Sequence, residues 1–101
     1  MIHAVYELKD DHYRSLRVNG HAEFGDYGKD LVCASVSSIM FGLMNALDVL
    51  EEKVQIDQLD KEITVDSHTD SKVVYDYFEL VIMQLKTMED SYGDFIKVER
   101  K

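Results

Sequence analysis

The chain's single cysteine, Cys33, lies twelve positions after His21 and three after Asp30, in a stretch punctuated by Gly20, Gly25 and Gly28. A thiol and an imidazole brought together can do nucleophilic acyl chemistry. The imidazole takes the thiol proton, the thiolate attacks a carbonyl, and the imidazolium returns the proton to the leaving group. The spacing predicts a strand ending at Gly20-His21 and a helix starting near Asp30, with Asp30 as its N-cap and Cys33 in its first turn. Unpaired N–H groups and the positive end of the helix dipole there favour a thiolate and can receive a developing oxyanion.

Each of these residues also has a plainer role. A lone cysteine near a helix start often serves as a small buried apolar side chain. Asp30 can cap the helix alone or also contact His21 or substrate. Ser37, one turn after Cys33, can bond a backbone carbonyl or steady the site. Phe24, Tyr27, Phe41 and Met44 lie in the loop or off the main apolar stripe, and either line a pocket for an apolar peptide side chain or simply pack. His3, His12 and His68 fall on strands or in polar loops and read as solvated. No His or Cys pair has metal-ligand spacing, so neither a metal nor another cofactor is expected.

The elements that must position this stretch follow from periodicity. Ile2, Ala4, Tyr6 and Leu8 alternate with polar residues, and after Asp10-Asp11 a second alternation over Ser15–Gly20 predicts an antiparallel hairpin partner. Val32, Val36, Ile39, Met40, Leu43, Leu47 and Leu50 recur at steps of three and four, predicting a helix from about Asp30 to Glu51-Glu52. Gly42 inside it is expected to mark a close contact with a neighbouring helix or the sheet. Val54–Ile56 and Glu62–Val65 read as one bent strand or two short ones. Ser71 or Asp70 caps a second helix carrying Val74, Phe78, Val81, Leu85 and Met88, with Gly93 at its C-terminal cap, and Ile96–Val98 closes as a strand. The order strand-strand-helix-strand-helix-strand implies an α+β fold, with two helices packed on one face of a small, mostly antiparallel sheet.

Composition excludes whole classes of function. With 101 residues the chain is expected to form one domain, residues 1–101, large enough to bury a core without staples. One cysteine closes no internal disulfide, which argues against a disulfide-rich secreted protein. Eleven Lys and Arg against 20 Asp and Glu leave a formal net charge of −9, which argues against nucleic acid and for a basic partner. Glu7 and Asp10 interrupt the N-terminal run that a signal peptide needs, and no unbroken apolar run approaches the roughly 18 residues of a membrane span. The expected location is the cytoplasm, with no membrane partner.

Gly20-His21-Ala22, Gly28, Asp30, Val32-Cys33-Ala34 and Ser37 together resemble the signature of the ribosomal-processing cysteine protease family, Prp. The resemblance implies a homodimeric endopeptidase with a two-helix, antiparallel-sheet α+β fold. It implies removal of the N-terminal extension of large-subunit bacterial ribosomal protein number twenty-seven, cutting after the Phe-Phe pair of a Leu-Gln-Phe-Phe-like sequence. It makes Cys33 the nucleophile and His21 the general base and acid, with Gly20, Asp30 and Ser37 in supporting positions. The glycines suggest that the loop Ala22–Lys29 folds over bound peptide. The competing expectation is a non-catalytic acidic module that binds at the ribosome, in which the thiol is incidental. A thiol redox sensor would need a resolving cysteine from a second chain.

Overall fold

The computed structural model describes residues 1–20, 27–50, 53–59 and 61–101, the side chains of 27–30 excepted. Strand β1 (Ile2–Lys9) and strand β2 (His12–Asn19) form the expected antiparallel hairpin. Asp10 and Asp11, both at positive φ (53° and 62°), make the two-residue turn. Such turns need left-handed backbone, which Asp tolerates better than most side chains do. The register then shifts, so that Leu8 faces Tyr13 but Glu7 faces Ser15, leaving Arg14 as a bulge. The bulge puts Tyr13, Leu16 and Val18 on the same buried face, and it hides the first half of β2 from any reading that relies on a period of two.

Helix α1 (Tyr27–Leu50) starts three residues earlier than its apolar stripe suggests. The backbone of Tyr27, Gly28, Lys29 and Asp30 is helical ahead of the apolar stripe, which begins at Val32. Asp30 is therefore not the N-cap. Gly28 is helical backbone, not loop. Val32, Val36, Met40, Leu43 and Leu47 form the buried side of α1. By length and composition alone, Leu31–Leu50 is apolar enough on average to cross a membrane, although no unbroken apolar run within it approaches that length. Its Leu, Val, Ile, Met and Ala residues keep it apolar on average, while its serines, Asn45 and Asp48 interrupt any continuous run. In this fold its buried side forms part of the core beneath the sheet and α2.

Strands β3 (Val54–Leu59) and β4 (Glu62–Ser67) are two separate strands paired antiparallel, which resolves the choice left open by the sequence. Helix α2 (Lys72–Tyr92) is capped by Ser71, whose Oγ accepts from the Val74 N–H at 3.4 Å. Gly93 follows as C-cap in ordinary helical conformation. Strand β5 (Ile96–Arg100) pairs parallel with β1. The sheet order is β3-β4-β2-β1-β5, with three antiparallel pairings and one parallel.

Register explains why both helices share one face. Ile2, Ala4, Tyr6, Leu16, Val18, Val65 and Ile96 lie on the same side of the sheet and are all buried, whereas Arg17, Lys97 and Glu99 on the other side are exposed. Phe78 and Leu85 of α2 complete the core. Gly42 does not mark a close contact: a Cβ there would meet nothing within 4 Å. It faces an open groove between the helices, lined by Ser38 and Ala46 on one side and Tyr77 and Leu80 on the other.

Candidate functional site

Cys33 is a free, half-buried thiol on the second turn of α1. The helical face it occupies continues through Val36, Ser37, Met40 and Phe41, the i, i+3, i+4, i+7, i+8 series that shares one side of a helix. These five residues form one wall of a cavity of about 150 Å³. The opposite wall is the end of the sheet where β1 begins, β2 finishes and β3 turns into β4. It comprises Ile2, Val18 and Gly20 with Gln58, Leu59, Lys61, Glu62 and Ile63. The cavity is apolar beneath, where Ile2, Val18, Val36 and Met40 are buried, and open at a rim where Phe41 and Leu59 are exposed.

Gly20 is held by neighbouring backbone on two sides. Its φ of +96° lies where side chains are strained, and a Cβ added there would sit 2.2 Å from the Met1 carbonyl oxygen. Only glycine lets the chain pass this close to the start of β1. Its N–H donates to the Lys61 carbonyl at 3.2 Å, tying the end of β2 to the β3–β4 turn. The chain that leads into His21 is thus fixed on the cavity wall facing Cys33. Nearby, Arg17 Nε lies 2.9 Å from Glu62 Oε1, so the one acidic side chain among the described residues of that wall carries its own counter-charge.

The structure brings together four of the residues expected at the site: Gly20, Cys33, Ser37 and Phe41. His21 and Phe24 lie outside the described residues, as does the Ala22–Asp26 part of the expected loop. Tyr27 and Asp30 lie on α1, and the structure describes only their backbone. Met44 packs against the core. His3 and His68 are exposed, while His12 sits at the other end of β2 with its Nε2 3.6 Å from Asp70.

One chemical expectation changes. Cys33 is the seventh residue of α1, so it lies beyond the first four N–H groups, the ones a helix start leaves unpaired. The helix start therefore neither activates its thiol directly nor offers Cys33's own N–H to an oxyanion. No local period marks the wall built from Gln58, Leu59, Lys61, Glu62 and Ile63. That wall reaches the site only because β4 pairs with β2, a long-range choice with no local signal.

Residues 1–97 match the family model described as Cysteine protease Prp. The ribosomal processing cysteine protease Prp of Mycoplasma pneumoniae is 34% identical over 95 residues, covering 94% of both chains. Its Staphylococcus aureus counterpart is 30% identical over 90 residues, covering 83% of both. Two crystal structures of the S. aureus ribosomal processing protease Prp cover 100% of both chains. The one with a covalently linked product peptide gives a TM-score of 0.90 at 28% identity, and the one with a substrate peptide gives 0.91 at 27%. A cavity holding the chain's one thiol, in a fold shared along its whole length with peptide-bound proteases, leads to one conclusion: the chain belongs to the Prp family of cysteine proteases.

Proposed function

We propose that this chain removes the N-terminal extension of large-subunit bacterial ribosomal protein number twenty-seven, cutting after a Phe-Phe pair, with Cys33 as nucleophile and His21 as general base and acid. The observation that carries the reading is that Cys33 and Gly20, the residue before His21, border the same cavity. In this mechanism His21 takes the Cys33 Sγ proton as sulfur attacks the scissile carbonyl, and then protonates the departing amine. The C–N bond breaks and a thioester remains. A water, deprotonated by His21, attacks the thioester, and the C–S bond breaks to release the carboxylate product and the thiol.

The apolar cavity suits an apolar segment of peptide. The net charge of −9 attracts a basic ribosomal protein, and like-charge repulsion disfavours nucleic acid. This reading places the enzyme in the cytoplasm as a homodimer. Its test is intact mass measurement of the extended ribosomal protein after incubation with the enzyme. The expected product is shortened by the extension through the second Phe. An unchanged mass, or a cut at another position, overturns the assignment of substrate or site.

A further inference from the structure

We propose that Leu59 is a specificity-determining residue that, with Phe41, grips an apolar substrate side chain three to four residues from the scissile bond. The inference rests on the cleavage beside Cys33 proposed above. Leu59 ends β3, the outermost strand of the sheet, and is 67% exposed; Phe41, on α1, is 42% exposed. Both border the cavity that holds Cys33, one from each wall. Two large apolar side chains exposed on either side of an apolar floor form a clamp that, among the described residues, nothing fills.

The distance along α1 sets the position read. Phe41 is eight residues past Cys33, a rise of about 12 Å at 1.5 Å per residue. An extended peptide covers this in three to four residues at roughly 3.3 Å each. The clamp therefore contacts a side chain remote from the reacting carbonyl and acts on which peptide binds, not on bond breaking itself. The support beneath Leu59 is fixed. The β3–β4 turn is tied to β2 by the Gly20–Lys61 backbone hydrogen bond and by the Arg17–Glu62 ion pair.

The experiment compares the parent with Leu59→Ala and Leu59→Met on a substrate peptide and on its variants carrying Ala singly at each apolar position within four residues of the scissile bond. Leu59→Ala is expected to lower kcat/KM on the unmodified peptide about 10- to 100-fold, the range for a large change in apolar pocket contact. Leu59→Met keeps most of the parent value. On the peptide whose apolar residue three or four positions away is already Ala, parent and Leu59→Ala cut equally. An equal loss on every peptide, or no loss on any, overturns the specificity role. If the parent itself cuts no peptide, the proposed function fails before this inference is reached.

Discussion

The two ends of the β1–β2 hairpin are built from the same two strands and do opposite things. At the turn end, Tyr13 stacks on Phe78 with ring centroids 5.5 Å apart and planes within 8°, and Tyr6 and Tyr75 lie 6.2 and 5.2 Å from Tyr13. The Tyr13 hydroxyl donates to Glu79 at 2.5 Å. At the far end, Ile2, Val18 and Gly20 open into the cavity beside Cys33. One end is closed by aromatic packing, which holds the sheet on α2. At the other, the described residues leave a cavity, held by the backbone contact at Gly20 and the Arg17–Glu62 ion pair. Stability is concentrated where no chemistry is needed, and the site sits where the core leaves a gap.

This contrast can be broken by substitutions at either end. Phe78 is fully buried, and Phe78→Ala should cost about 3–5 kcal/mol of stability through lost burial and the cavity left behind. Urea unfolding measures this. The kcat of the molecules still folded should not change; a matching loss of kcat would mean that the two ends are coupled. Gly20→Ala should cost about 2 kcal/mol through the positive φ and the clash with the Met1 carbonyl. It should also reduce cleavage by the folded enzyme at least about tenfold, because it displaces the chain entering His21. A destabilised variant with full activity would detach Gly20 from the site.

The smallest effect is expected at Tyr13. Burial, followed by the Glu79 carboxylate, raises its hydroxyl well above the ordinary tyrosine value of 10.0. The folded state therefore holds this proton more tightly than the unfolded chain does. The resulting stability is fully present below pH 10 and is lost as pH rises above it, while the unfolded chain ionises and the native one does not. Tyr13→Phe should lower stability by about 1 kcal/mol at neutral pH and flatten the alkaline decline. Denaturant midpoints between pH 8 and 11 measure both effects, and an unchanged alkaline slope would remove Tyr13 from the account.

Much of this arrangement was legible in the sequence. Alternation marked β1 and three-four spacing marked both helices, because each element buries one face, whereas Val54–Ile56 and Glu62–Val65 left one bent strand or two short ones open. Cys33 and Ser37 could be placed one turn apart on the same side of α1 from their spacing. Three features were not legible. The Arg14 bulge breaks the period of two, so β2 looked shorter than it is. The apolar stripe in the sequence begins only at Val32, five residues past the start of α1, so Asp30 looked like a cap and Cys33 like a first-turn thiol. Leu59 and Ile63 reach the site through the β4–β2 pairing, which no local pattern encodes. The resemblance carried by Gly20, His21 and Cys33 pointed to the family without depending on any of these boundaries.

The central claim is that the thiol at the open end does the cutting while the fold is held elsewhere. Cleavage by Cys33→Ala, measured by product mass alongside its thermal midpoint, tests this most directly. The account predicts at least a thousandfold loss of turnover, on the order of what removing a nucleophile costs, with a midpoint within about 3 °C of the parent. Undiminished cleavage by a folded Cys33→Ala chain would contradict it.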